Sequence, residues 1–200
     1  MTLIVFGLMG LMSTLLFAED VLVELKDIEP SIGVDLKYAT ADNFMKEKLY
    51  SDARCFLRPE VAARLVRVQT RLRAKGLGLK IFDGYRPLAV QKKMFARFPY
   101  PGFVADPAKG SNHNRGAAVD VGLVDAAGKE LPMPSAYDEF SERSHIAYAG
   151  GTAVESQNRQ TLQDAMQAEG FKPLESEWWH FDDPDCKTYP VLDIPIESLP

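Results

Sequence analysis

Two hundred residues, 46% hydrophobic and 26% charged, suit one globular domain with its own core, and no repeat or low-complexity tract interrupts them. A formal charge of -5 supplies no basic field, which excludes nucleic acid and points to a small-molecule partner. Two cysteines, Cys55 and Cys186, are too few for a cysteine-built metal site or a disulfide framework; they either form one bridge or remain two thiols.

Residues 1–18 carry no charge and run from Leu3-Ile4-Val5-Phe6 to Leu15-Leu16-Phe17-Ala18 before Glu19-Asp20 opens a soluble composition. This reads as the apolar core of a signal peptide, with a membrane anchor as the alternative because the run approaches the ~20 residues of a span. Export predicts a periplasmic or secreted protein of residues 19–200, with no stable membrane association once the leader is removed. Val21–Leu25 and Ile32–Leu36 then read as short extended pieces.

From Pro59 the pattern turns helical: Val61, Leu65, Val68 and Leu72 fall at i, i+4, i+7 and i+11, with Pro59 fit for the first turn and Gly76 for the stop. Arg64, Arg67, Arg71 and Arg73 make a solvated face. Leu77, Leu79 and Ile81 alternate as a strand ending at Asp83-Gly84-Tyr85-Arg86-Pro87, and a second helix runs from Leu88 to Phe98. A loop leads to Ser111, a strand covers Ala118–Val124, and a turn follows at Ala127-Gly128. A third helix spans Glu155–Glu169, stopped by Gly170, before a final core strand over Trp178–Phe181. This mixture favours an α+β fold over a doubly wound sheet.

Two of the three histidines lie in the runs that carry chemistry, Ser111 to Asp120 and Glu177-Trp178-Trp179-His180. Asp120 sits inside an apolar strand, where an uncompensated carboxylate costs several kcal/mol, so a cation or strong hydrogen bonds must offset its burial. His113 lies seven residues earlier, across a glycine-containing turn that can bring both side chains to one point. Together with His180 these supply the three N/O ligands of a hydrolytic zinc site, and a nearby carboxylate can take a proton from water. Glu177 is the candidate base and Glu175 its competitor. Strict alternation puts Glu177 and His180 on opposite faces, which predicts an irregularity at Trp178-Trp179. His145 has no matching spacing and reads as a structural or supporting residue.

These runs, with Asp35-Leu36-Lys37-Tyr38-Ala39-Thr40, Asp42-Asn43-Phe44, Tyr137-Asp138 and Ser141 to His145, together resemble the zinc D-alanyl-D-alanine dipeptidases of the vancomycin-resistance type, relatives of metal-dependent D,D-carboxypeptidases. The resemblance implies one domain with a central, mostly antiparallel sheet flanked by helices, as in zinc D,D-peptidases and hedgehog-like folds, and one Zn2+ per chain. It implies His113, Asp120 and His180 as ligands, Glu177 as general base, and Arg86 as the cation that holds the tetrahedral oxyanion. Asp138 corresponds to the carboxylate that receives the substrate's ammonium, while Tyr38 and Ser111 match positions lining the pocket. The implied activity is hydrolysis of D-Ala-D-Ala. A D,D- or L,D-carboxypeptidase acting on wall peptides is the nearest rival, and a zinc-bearing wall-binding module without turnover is a rival of another class. Asn112 departs from the resistance-type pattern, which tends to have Ser there, so the resemblance leaves open what reads the substrate's C-terminal carboxylate.

Overall fold

The computed structural model describes residues 22–99 and 103–200, so the expected leader lies outside the described residues. Leu22 to Leu25 begin as a two-residue strand β1 (Val23–Glu24), but the chain then coils at once into the single-turn helix α1 (Leu25–Ile28) instead of staying extended through Leu25. Strand β2 is only Gly33–Val34, shorter than the expected Ile32–Leu36. A strand not anticipated from the sequence, β3 (Phe56–Leu57), pairs antiparallel with β1.

Helix α2 (Pro59–Arg73) forms where the periodicity places it, with Val61, Leu65, Val68 and Leu72 buried. Gln69 is also buried, and its side-chain oxygen accepts from the Leu79 amide at 2.8 Å, tying the helix to the next strand. Strand β4 (Leu77–Asp83) and helix α3 (Leu88–Arg97) follow, and then β5 (Ala118–Asp125). Helix α4 (Ala153–Ala168) starts two residues before the expected Glu155. The cause is a capping box: the Thr152 hydroxyl accepts from the Glu155 amide, and the Glu155 carboxylate accepts from the Thr152 amide at 2.6 Å. Strands β6 (Lys172–Leu174) and β7 (Glu177–Asp182) close the fold; β6 has too few residues to show alternation.

The main sheet has the order β2-β4-β5-β7-β6, with β2 parallel to β4 and every other pair antiparallel. The α+β expectation of a mostly antiparallel sheet with flanking helices holds. Helices α2 and α4 pack on one face, where Leu79, Ile81, Val119, Val121, Leu123 and Phe181 are buried. The opposite face is roofed by loops and carries the polar residues described below. Among the described residues no helix is long and apolar enough to cross a membrane. Cys55 and Cys186 are buried as free thiols, so the bridge is not formed.

Candidate metal centre and substrate cavity

The site begins with the register of the sheet. Asp120 of β5 pairs with His180 of β7, so a carboxylate and an imidazole stand side by side on the loop-covered face. His113 reaches them from a 3-10 turn, His113–Arg115, ended by Gly116 at φ 66. The left-handed backbone favours glycine at Gly116, and a Cβ there would meet Leu22 Cδ2 at 2.5 Å, so the buried Leu22 side chain would have to shift. The expected glycine turn thus swings His113 onto the strand it precedes.

Two strands lose regular pairing at this level. On β4 the register shifts between Ile81 and Asp83, and on β7 Leu174 pairs with Glu177 while the neighbouring Pro173 pairs with Phe181. The second shift lies across Trp178 and Trp179, where the parity of Glu177 and His180 requires it, and it turns both residues into one cavity. Glu175, the competing base, is exposed and outside the cavity lining, and His145 is outside it as well.

His113, Asp120 and His180 are all buried, and each offers one ligand atom within 4.8 Å of the others. His113 Nε2 lies 3.3 Å and His180 Nδ1 3.0 Å from Asp120 Oδ1, and the two ring nitrogens are 3.1 Å apart. Their far nitrogens decide what these near atoms are. His113 Nδ1 donates to the Gly84 carbonyl at 2.8 Å, and His180 Nε2 donates to the Asp182 carboxylate at 3.0 Å. With those protons placed outward, each neutral ring directs a lone pair inward, and two lone pairs and a carboxylate oxygen meet at one point. Such an arrangement is repulsive unless a positive charge sits among them, so the donor set fits a divalent cation. Tyr137 donates to the other oxygen of Asp120 at 3.0 Å, which leaves Oδ1 facing the histidines.

The electrostatics show the same demand for positive charge, which a proton meets when no metal does. Burial opposes charge on both partners, yet bonds to Asp120 and Asp182 hold His180 well above the usual imidazole value, and the imidazoles hold Asp120 well below the usual carboxylate value. A cation at this point takes the place of that proton. Glu177 Oε2 is 4.0 Å from His180 Nδ1. Burial lifts its carboxyl to about 8, with the Asp120 charge adding to the rise and His180 opposing it.

Arg86 follows β4 through the Gly84-Tyr85 turn. Its Nε and Nη2 bond Asp83 at 2.9 and 2.6 Å, Nη1 bonds Gln91 at 2.9 Å, and Nη2 lies 4.0 Å from Asp120. These bonds use three of the five guanidinium N–H groups, so one on each terminal nitrogen remains for a ligand. Asp83 is fully buried and also accepts from Tyr50 at 2.7 Å. Sequence reasoning gave no role to Asp83, Gln91, Tyr137 or Asp182. Two of them had a readable signal: Asp83 ends an apolar alternation as Asp120 interrupts one, and Asp182 lies two residues from His180, on the same side of a strand.

A cavity of about 280 Å³ opens over these groups, and Tyr38, Arg86, Ser111, His113, Asp120, Asp138, Glu177 and His180 all line it. The fold therefore brings together every site residue expected from the sequence. Asp138 adopts φ 58, a left-handed conformation that Asp tolerates better than most side chains, and both its oxygens accept from Tyr38 at 3.1–3.2 Å. Burial raises its carboxyl well above the usual range, and the charges of Asp120 and Glu177 raise it further. The Ser111 hydroxyl accepts from the His113 amide at 3.2 Å and so braces the ligand turn.

Comparison with known proteins gives the chain a family. The profile of a peptidase family, Peptidase_M15, described as D-ala-D-ala dipeptidase, matches residues 18–195. A D-alanyl-D-alanine dipeptidase of Escherichia coli (strain K12) is 39% identical over 171 residues, which cover 86% of this chain and 89% of that protein. One from Enterococcus faecium is 32% identical over 200 residues, covering 86% of this chain and 96% of that protein. The solved structure of the LD-carboxypeptidase LdcB aligns with a TM-score of 0.49 at 21% identity, over 84% of this chain and 71% of that one.

Proposed function

This chain belongs to the D-Ala-D-Ala dipeptidase family of M15 peptidases, and from that premise we propose that it hydrolyses the free dipeptide D-Ala-D-Ala with one zinc ion held by His113, Asp120 and His180. The observation that carries the reading is the convergence of two inward lone pairs and a carboxylate oxygen in a cavity that also holds Glu177 and Arg86. A zinc ion held by these three residues would supply Lewis-acid polarisation of the scissile carbonyl and a water whose pKa lies near neutrality.

The chain's own groups supply the rest. Glu177, on the dry wall beside Trp179, takes the water's proton at its carboxylate and passes it to the leaving amine. Arg86 is held in place by Asp83 and Gln91, so its remaining N–H groups are already oriented toward a developing oxyanion. Asp138 receives the substrate's ammonium, which relieves the repulsion among Asp138, Asp120 and Glu177. Tyr38 steadies that carboxylate through its hydroxyl.

Asp138 also favours a dipeptidase over a carboxypeptidase, which needs an open cleft at the same end. A wall-binding module without turnover gives no reason for Glu177 and Arg86 to join the ligands in one cavity. The test compares D-Ala-D-Ala, its L,L counterpart and N-acetyl-D-Ala-D-Ala on zinc-loaded protein, with and without Asp138→Ala. Free D-Ala-D-Ala is the expected best substrate, and the substitution should cost it much more than the acylated peptide. Equal proportional losses put the carboxypeptidase ahead.

We also propose that residues 1–18 direct export, on the strength of their uncharged apolar run, and that the enzyme salvages D-alanine outside the cytoplasm. Protein from its native cell should then begin near Glu19; retention of Met1 in a cytosolic fraction contradicts it.

A further inference from the structure

Resting on the dipeptidase reading, we propose that Lys187 binds the substrate's C-terminal carboxylate, so that with Asp138 it makes the cavity a ruler for a zwitterionic dipeptide. Lys187 lies in the 3-10 turn Cys186–Thr188, just beyond β7, and lines the cavity from an exposed position. Its ammonium donates to Asn112 Oδ1 at 2.8 Å, and Asn112 directly precedes the ligand His113.

The charges around the cavity support the assignment. Four carboxylates line it, Asp120, Asp138, Glu177 and Asp182, against two permanent cations, Arg86 and Lys187. Arg86 is buried and already bonded to Asp83 and Gln91, with Asp120 beside it. Lys187 is bonded to a neutral amide, and among the described residues no carboxylate lies within salt-bridge distance of it. It is therefore the lining cation whose charge no carboxylate of the described residues already meets.

Position agrees with charge. Asp138 belongs to the Tyr38–Tyr137 side, where Tyr137 bonds the Oδ2 atom of Asp120. Lys187 belongs to the side of Asn112 and the His113 turn. The contacts run in that order, from Asp138 through Tyr38 and Tyr137 to Asp120 and on to His113, whose neighbour Asn112 bonds Lys187. A peptide whose ammonium meets Asp138 and whose carbonyl reaches the ligands therefore directs its carboxylate toward Lys187. Ser111, one residue before Asn112, keeps its hydroxyl proton for the same carboxylate, because its oxygen is used as an acceptor from the His113 amide. Three donors on a flexible stem follow a carboxylate without the fixed geometry of a guanidinium. Asn112, at the position where the resistance-type pattern has Ser, is what holds this ammonium over the cavity.

The test uses zinc-loaded protein, Lys187→Met and Lys187→Arg, on D-Ala-D-Ala and its C-terminal amide. Lys187→Met should lose roughly ten- to a hundred-fold in kcat/KM on the free acid, the scale of one charge-assisted hydrogen bond, chiefly through KM. It should lose little on the amide, keep its zinc, and lose the rise of KM with salt that an exposed charge gives the parent enzyme. Lys187→Arg should recover most of the affinity. A second readout is independent of turnover: calorimetric binding of D-Ala-D-Ala and of its amide to zinc-loaded Glu177→Ala, with and without Lys187→Met. Undiminished preference for the acid over the amide in Lys187→Met, in rate or in binding, overturns the proposal. Absence of hydrolysis by the parent enzyme, with the acid still bound through Lys187, defeats the dipeptidase reading alone.

Discussion

The two faces of β5 make opposite use of the same eight residues. Val119, Val121 and Leu123 point into the helix-covered core, where α2 and α4 bury them completely or nearly so. Asp120, one step out of phase, points under the loops and meets His180 and His113. The core face is apolar, and its packing tolerates no cavity. On the loop face nearly every polar atom is bonded to another, because each buried charge there needs a partner. A period of two thus separates what holds the fold from what works on substrate, and substitutions on the two faces should fail in different ways.

The largest effect belongs to the loop face. Asp120→Ala removes the only carboxylate among the converging ligand atoms, so the variant should fold, lose tight zinc retention and fall more than about ten-thousand-fold in kcat/KM. Metal analysis after dialysis checks it, and stoichiometric zinc in the variant breaks the assignment. Glu177→Ala should keep its zinc and lose roughly a hundred- to ten-thousand-fold in turnover, the scale of a general base. On the core face, Leu123→Ala should lower stability by about 2–5 kcal/mol in denaturant titration while the folded fraction retains zinc and turnover. Coupled loss of metal would show that the two faces are not separable.

Smaller effects sharpen the comparison. Asp182→Asn should weaken zinc binding about ten- to a hundred-fold, since Asp182 sets the tautomer of His180 by accepting from Nε2. Competition with a chelator reads this directly, and an unchanged affinity means the contact is incidental. The smallest effect lies far from the site, where Glu169 bonds Arg67 and Arg71 and joins the end of α4 to α2. Bonds from Arg71 and Arg67 hold its carboxyl below the usual 4.5 despite partial burial. A folded-state value below the unfolded one contributes stability above the unfolded pKa and loses it as pH falls through the folded pKa. Glu169→Gln should therefore destabilise by under about 1 kcal/mol at pH 7, and the difference should fade as pH falls below the usual 4.5 and through the lowered folded-state value. A gap that persists in acid would implicate packing instead of charge.

What could be read in the sequence follows the same division. Helix α2 was legible because four apolar residues, a first-turn proline and Gly76 agree on one period. Asp120 was legible because a carboxylate in an apolar strand needs compensation, and the parity conflict between Glu177 and His180 announced the irregularity of β7. Strand β6 and the turn of α1 were not, since three or four residues held by their neighbours show no period of their own. The start of α4 was missed although Thr152 and Glu155 spell a capping box. Gln91 escaped because its role exists only once the turn after β4 folds Arg86 back onto it, and for Asp83 the apolar alternation signalled burial without naming Arg86 as its partner. Lys187 lies seventy-five residues beyond Asn112, and only the folded chain makes them neighbours.

The most direct measurement is a titration of metal-free protein with zinc, followed by hydrolysis of D-Ala-D-Ala. Activity should rise linearly to one equivalent per chain and then level off, while His180→Ala stays inactive across the same range. Hydrolysis that needs no zinc, or one equivalent of tightly bound zinc that leaves D-Ala-D-Ala intact, would contradict the assignment of this cavity.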